Sequence, residues 1–357
     1  MKVYTFNNTV KDPFCRGKQI GEYWAPQIKQ TVMLYLDFFS RIGITGDQAK
    51  RIGENSLAAL EYWCPDLASE IEATAMGANV PIWSLASLNA RTEILSTKST
   101  SYASECSTAI YVAPDINMPQ TMQTWDWHDV LAPNGLMMQL QNRKGMQFKF
   151  FTEFGMLGKI GVNSAGLGLH FNILHHTSDN DSGGVPVHAV ARRILEEATT
   201  IEEAIALAFS AQVSASSVLS VFCHHAARCR AVSIELSPFR SAIVYPQQNN
   251  WLLHTNHFLA SELVSGEGTT DDTTYKRYEH LKSVSSHMKN KSIMARAAAM
   301  CGPEGEQSPI CFLPDSSQPD TERWQTLLTI SINTKNAILK YAAGNPYQLS
   351  QTGYLSF

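Results

Sequence analysis

No stretch of the 357 residues stays apolar long enough to cross a bilayer, which takes about 20 consecutive residues, so no membrane span is expected. The opening Met1-Lys2-Val3-Tyr4-Thr5-Phe6-Asn7-Asn8 lacks the continuous apolar run of a secretory signal, and the closing Gly353-Tyr354-Leu355-Ser356-Phe357 is no peroxisomal signal. A cytoplasmic protein is the expectation. Cysteine is scarce: seven residues, Cys15, Cys64, Cys106, Cys223, Cys229, Cys301 and Cys311, are scattered and odd in number, which argues against a disulfide scaffold and fits reduced thiols. Charge is sparse too, at 17% of the chain with a formal net of -4, so nothing draws the protein toward nucleic acid or anionic lipid. Short Cys-to-Cys pairs of the zinc type are missing, because Cys223-His224-His225 and Cys229 are spaced differently, and no metal is expected. His254 and His257, three apart in an extended segment, point to opposite faces and make poor joint ligands. Gly155, Gly158 and Gly161 form only a loose run with no helix after it, which excludes a phosphate-binding loop.

What is present is a 44% hydrophobic chain without internal repeats or a true linker, enough for one large layered unit. Ile20, Tyr23, Trp24, Ile28, Val32, Tyr35, Leu36 and Phe39 recur at three- and four-residue spacings, predicting an amphipathic helix over about 19–42. Helices are expected over about 48–63, from Pro65 toward Met76, and from Pro81 to about Leu95, so the first hundred residues read as helical. After Cys106 the texture becomes short and strand-like up to Asn172, with Leu167, Leu169 and Phe171 alternating with Gly168, His170 and Asn172. Helices over about 186–209, a second strand group that closes over about 326–341, and intervening helices near 275–300 complete the pattern. Helices, strands, helices and strands again predict an α+β fold: two antiparallel sheets face to face, covered by helices, in a four-layer αββα sandwich.

Taken alone, Cys106 reads as a buried structural thiol, since free cysteine is among the most buried residue types. Five segments in order alter that: Leu88-Asn89-Ala90-Arg91-Thr92-Glu93, Cys106-Ser107-Thr108-Ala109, Trp125-Asp126-Trp127, the run from Gly158 to Gly166, and His254-Thr255-Asn256-His257. Together they resemble the acyl-coenzyme A:6-aminopenicillanic acid acyltransferase family of self-processing N-terminal nucleophile hydrolases, over about Asp12 to Tyr341. The resemblance implies that the chain cuts itself between Glu105 and Cys106, leaving 1–105 and 106–357 bound as one globular unit. Cys106 would then be the nucleophile, and its freed α-amino group, with an ordinary pKa of about 7.7–8.0, the base. Asp126 is implied as the residue that holds that amine, Asn256 as the oxyanion donor, Asn172 as a source of a main-chain amide for the same hole, and Arg323 as a guanidinium near the thiol that also fixes Asp126. The polar residues of Asn89 to Glu93 are expected to form a buried hydrogen-bond network that positions the scissile loop.

The implied substrates are small N-acyl amides or acyl-thioesters, including β-lactam intermediates and N-β-alanyl amines of secondary metabolism. Acyl-coenzyme A is a co-substrate in this picture, and no resident cofactor is implied. Two departures stand out: Glu105 replaces the family's glycine before the nucleophile, and Glu322 its serine beside the arginine. Glutamate restricts the backbone angles that glycine permits, so the alternative is an uncut, non-catalytic binding scaffold of the same fold. A papain-like pairing of Cys106 with His128 as a separate base is the lesser enzymatic idea.

Overall fold

Asp12 starts the helical region: its carboxylate accepts the Cys15 amide at 3.0 Å, and Pro13 occupies the first turn, where a missing N–H leaves nothing unsatisfied. Six helices follow in the computed structural model: α1 (Pro13–Tyr23), α2 (Ala25–Arg41), α3 (Gly46–Trp63), α4 (Pro65–Ala78), α5 (Ile82–Asn89) and α6 (Arg91–Leu95). Residues 1–96, 98, 105–225, 228–269, 272–289 and 291–357 are described, with Glu105 and His225 by backbone alone. Ser104 and the Glu105 and His225 side chains thus lie outside the described residues. The single helix expected over 19–42 is two, because Trp24 leaves helical geometry and Pro26 has no N–H for the carbonyl four residues back. The helix expected from Pro81 to Leu95 also breaks, at Ala90.

The strands are β1 (Lys2–Asn7), β2 (Glu105–Tyr111), β3 (Gln120–His128), β4 (Asn134–Gln141), β5 (Gln147–Thr152), β6 (Ile160–Asn163), β7 (Leu167–Ile173), β8 (Ser217–His225), β9 (Arg228–Leu236), β10 (Ser241–Val244), β11 (Trp251–His254), β12 (Trp324–Asn333), β13 (Ile338–Ala343) and β14 (Leu355–Ser356). Among the described residues they form two sheets, β1-β4-β5-β6-β7-β8-β9-β10 and β11-β2-β3-β12-β13-β14. Helices α7 (Val187–Glu197) and α8 (Ile201–Ser210) cover the first sheet; α10 (Thr273–Met288), α11 (Ile293–Cys301) and α12 (Pro346–Thr352) cover the second, after the short α9 (Ser261–Val264). The sheets meet through β2 and β7 and through β12, β13 and β6, which makes the αββα sandwich. One correction concerns β1: the partly exposed Lys2–Asn7 shows no clean alternation in sequence, yet it pairs in parallel with β4, so the first sheet is mixed.

Residues 1–96 are knitted into the rest of the chain. Beyond the β1–β4 pairing, Arg16 of α1 bonds Glu70 of α4, which Arg192 of α7 also contacts at 3.1 Å, while Arg16 reaches Glu196 at 3.0 Å. These groups are nearly all withdrawn from water, where breaking one partner leaves an uncompensated charge. Helices α1 and α4 touch backbone to backbone: a Cβ on Gly17 would lie 2.4 Å from the Glu70 carbonyl oxygen. Among the described residues no helix is long and apolar enough to cross a membrane.

Candidate active site

β2 and β3 pair in unbroken antiparallel register, setting Cys106 against Trp125, Ser107 against Thr124 and Glu105 against Asp126. Strand alternation then separates two faces. Cys106, Thr108, Gln123 and Trp125 face the other sheet: Thr108 Oγ1 donates to Asn172 Oδ1 and Gln123 Nε2 to the Phe171 carbonyl, each at 2.8 Å. Ser107, Thr124 and Asp126 face α10, whose Arg277 reaches Ser107 Oγ at 3.2 Å.

The backbone of Cys106 is gripped at both polar atoms. Its N–H donates to Asn256 Oδ1 at 2.9 Å; its carbonyl accepts from Arg277 Nη1 at 2.8 Å and from Asn172 Nδ2 at 3.2 Å. Arg277 Nη2 donates to the same Asn256 oxygen at 3.0 Å, while Asn256 Nδ2 donates to the Ile173 carbonyl at 2.8 Å. Two donors at the oxygen and a carbonyl at the nitrogen fix which way that amide points. The cysteine itself is 1% exposed.

Asp126 is fully buried and accepts from Thr124 Oγ1 at 3.1 Å. Burial pushes its carboxyl up to about 7, opposed only in part by a hydrogen bond with Thr326, the Arg277 charge and Thr124. On the thiol face, Lys159 Nζ lies 3.7 Å from the centroid of the Trp125 ring and donates to Glu153 Oε2 at 2.7 Å. Glu153 is shared with Arg91, 3.0 Å away, and accepts from Tyr35 Oη at 2.6 Å. The polar residues of Asn89 to Glu93 do form a buried network: Asn89 bonds the Gly155 carbonyl and the Leu157 amide, and Glu93 accepts from Val187 N at 2.8 Å.

The residues implied by resemblance therefore sit in different relations to the cysteine. Asn256 meets it, through the amide oxygen on the Cys106 nitrogen and not through its NH2 group. Asn172 meets it by its side chain. Arg323 does not serve Asp126: its Nε donates to Asp129 Oδ2 at 2.9 Å, and Trp324 beside it pairs with His128, which ends β3 beyond both Asp126 and Trp125, the partner of Cys106. His128 is on the Asp126 face, packed against Phe38 and Trp324, and burial pushes it down to about 3, so it is a poor partner for the thiol. His254 pairs with buried Glu235 at 2.8 Å.

Residues 117–348, more than half of the chain, match the family described as acyl-coenzyme A:6-aminopenicillanic acid acyl-transferase. The chain belongs to that acyltransferase family. Asp126, Asn172, Asn256, Arg277 and Arg323 fall inside the matched acyltransferase region, and Cys106 lies eleven residues before it. The 40 kDa form of the acyl-coenzyme A:6-aminopenicillanic-acid acyltransferase of Emericella nidulans is 26% identical over 283 residues, 75% of this chain and 76% of that protein. Two solved structures align as well. An N-acylethanolamine-hydrolyzing acid amidase ortholog of Caenorhabditis elegans has a TM-score of 0.43 at 13% identity, covering 64% of this chain and 93% of its own. A conjugated bile acid hydrolase mutant of Clostridium perfringens has a TM-score of 0.47 at 12% identity, covering 70% and 92%.

Two residues of this acyltransferase-family site escaped sequence reasoning. Arg277 sits in Tyr275-Lys276-Arg277-Tyr278 and looks like part of a solvated helix, yet it shares the buried stripe of α10 with Thr274, Leu281 and Met288. That helical spacing was the available signal. Lys159 was visible only as one letter of the Gly158 to Gly166 motif; nothing local marks it as buried.

Proposed function

We propose that this protein is a self-activating cysteine amidohydrolase or acyltransferase, with Cys106 as the nucleophile and residues 1–105 retained after cleavage before it. In the precursor, Cys106 attacks the Glu105 carbonyl, and water hydrolyses the resulting thioester. In the mature enzyme, the α-amine of Cys106 takes the thiol proton and the thiolate attacks an amide or thioester carbonyl; the C–N or C–S bond breaks as the leaving amine or thiol takes that proton, and the acyl-enzyme then passes its acyl group to water or an amine. Asn256 Oδ1, already on the Cys106 nitrogen at 2.9 Å, would accept one N–H of the freed amine and so aim its lone pair. Asp126 and Arg323 keep the roles the resemblance implies only as far as their surroundings permit: Asp126 lies one register position from the amine, whereas Arg323 is committed to Asp129.

The observation that carries this reading is the threefold hold on the Cys106 backbone by Asn256, Asn172 and Arg277, in a chain of the acyltransferase family. A structural thiol has no need for its peptide nitrogen to be met by a side chain that is itself fixed by a buried guanidinium. The matched relative is named for transfer from acyl-coenzyme A to 6-aminopenicillanic acid, which supports small N-acyl amides and acyl-thioesters as the substrate class, with acyl-coenzyme A as a co-substrate. The interlocking of β1 with β4 and of α1 with α7 supports retention of the amino-terminal piece. The test is the intact mass, under denaturing conditions, of wild type beside Cys106→Ala. Fragments 1–105 and 106–357 in wild type alone are expected; one uncut chain in both would replace the enzyme with the scaffold alternative.

A further inference from the structure

Self-cleavage, if the proposed function holds, must begin before any terminal amine exists. In the uncut chain the Cys106 nitrogen is a peptide amide that donates to Asn256 Oδ1 at 2.9 Å, and it has no lone pair to take the thiol proton. Asp126 is on the other face of the β2–β3 pair, and His128 shares that face. The thiol face holds an amine of its own. Lys159 Nζ lies 3.7 Å from the Trp125 ring centroid, and Trp125 stands directly opposite Cys106, where paired Cβ atoms are about 5 Å apart.

The charges around Lys159 leave a vacancy for a negative partner. Its side chain and that of Glu153 are each 1% exposed, and Glu153 is bonded by both Lys159, at 2.7 Å, and Arg91, at 3.0 Å. Two cations therefore share one anion. Among the described residues the other titratable neighbours add no charge: burial holds His188, which approaches Arg91, well below its ordinary pKa and holds the Tyr35 hydroxyl well above its own. The imbalance is removed when Lys159 is neutral, or when a thiolate forms beside a protonated Lys159. Moving one proton from the thiol to the amine converts the first state into the second. Burial and then Arg91 push Lys159 down to about 7, while Glu153 and Cys106 pull it up, which makes both states accessible near neutrality.

We propose that Lys159 is the proton acceptor for Cys106 during self-cleavage. The thiol proton moves to Lys159 Nζ as the Sγ–C bond to the Glu105 carbonyl forms. The Glu105–Cys106 C–N bond then breaks, and the departing nitrogen takes that proton, leaving a thioester and a free amine. Water cleaves the thioester to a Glu105 carboxylate and the thiol, the remaining proton going to the freed amine, so the sum is hydrolysis of one peptide bond.

The test follows intact mass with time for the full-length chain made by cell-free translation, between pH 6 and pH 9, for wild type, Cys106→Ala, Lys159→Ala and Lys159→Arg. Wild-type cutting is expected to accelerate as pH rises through about 7 and then level off. Lys159→Ala is expected to cut at least ~10²-fold more slowly, to lose that inflection, and to be partly restored by added ethylamine. Lys159→Arg keeps a cation for Glu153 and cannot release its proton, so it is expected to fold and stay uncut, which covers the case of an unfolded alanine variant. Wild-type speed in either Lys159 variant, or a wild-type rate flat across this pH range, overturns the role of Lys159 while self-cleavage stands. A wild type that never cuts overturns both.

Discussion

Replacing Arg277 with methionine separates a positioned cysteine from a merely buried one. The guanidinium donates to the Cys106 carbonyl at 2.8 Å, Ser107 Oγ at 3.2 Å and Asn256 Oδ1 at 3.0 Å, and contributes a charge that holds Asp126 down. A hydrogen bond involving a charged group is worth about 1.5–3 kcal/mol net, and losing all three would suggest a much larger sum. Each principal acceptor keeps another partner, however: Asn172 still donates to the Cys106 carbonyl, and the Cys106 amide still donates to Asn256. The expected loss is therefore about 2–4 kcal/mol, close to that of one broken buried partner. Measured by urea unfolding in the Cys106→Ala background, where the chain stays in one piece, this would be a clear shift of midpoint at constant slope. In the wild-type background, intact mass should show cutting slowed by ~10²-fold, because Asn256 loses the clamp that aims it at the cysteine nitrogen. Arg277→Lys should recover only part of each loss, since Nη1 and Nη2 serve different acceptors and one ammonium cannot reproduce that fork. A stability change under about 0.5 kcal/mol with unimpaired cutting would refute this account of the site.

Three other perturbations probe the same geometry. Asn256→Ala should lower cutting and turnover by ~10²-fold, because the Cys106 nitrogen loses the acceptor that aims it, while near-ultraviolet circular dichroism stays native, and wild-type turnover would remove Asn256 from the mechanism. For Asp126, the native carboxyl at about 7 lies above its ordinary 3.8, so between those values the unfolded chain ionises first and wild-type stability falls as pH rises. Asp126→Asn lacks this penalty and should gain on wild type by on the order of 4 kcal/mol from pH 4 to pH 8, read from paired unfolding curves in the Cys106→Ala background; a pH-independent difference would contradict the burial argument. Arg323→Ala breaks one partly exposed pair with Asp129, at 24% and 22% side-chain exposure, so it should cost about 0–1 kcal/mol and leave self-cleavage intact. Cutting reduced as much as in Arg277→Met would restore the role implied for Arg323.

The layered fold was legible because its signals are periodic. Leu167, Leu169 and Phe171 alternate and form β7, and the repeat of Tyr275 to His287 forms α10. The amino-terminal strand was not legible, because half-exposed Lys2–Asn7 pairs with a strand more than a hundred residues away and carries no local pattern. At the site, Cys106, Asn172 and Asn256 were found through motif letters, and the structure brings all three to one backbone unit. Their contacts were not legible: which atom of an asparagine amide faces a cysteine depends on a guanidinium supplied from α10, 171 residues further along the chain. The misplaced guanidinium has the same origin. Sequence offered an arginine next to a strand, Arg323, and gave no reason to expect the competing carboxylate of Asp129.

The two faces of the β2–β3 pair also bear on how, in the proposed mechanism, one residue would serve two reactions. The peptide nitrogen of Cys106 points to Asn256 and its carbonyl to Arg277 and Asn172, so the main chain on both sides of the cysteine's α-carbon is anchored independently of the bond to Glu105. Cutting that bond removes the covalent tether but none of these three contacts, and it changes the nitrogen from a pure donor to a group with both N–H bonds and a lone pair. Asn256 Oδ1 can hold an N–H in either state, which leaves the lone pair free only after the cut. A base for the first reaction must then come from elsewhere, and the thiol face, where Lys159 lies against Trp125, is where the thiol itself points. The same geometry lets the amine take over once it exists, so loss of Lys159 should slow maturation far more than it slows turnover by chains that have already been cut.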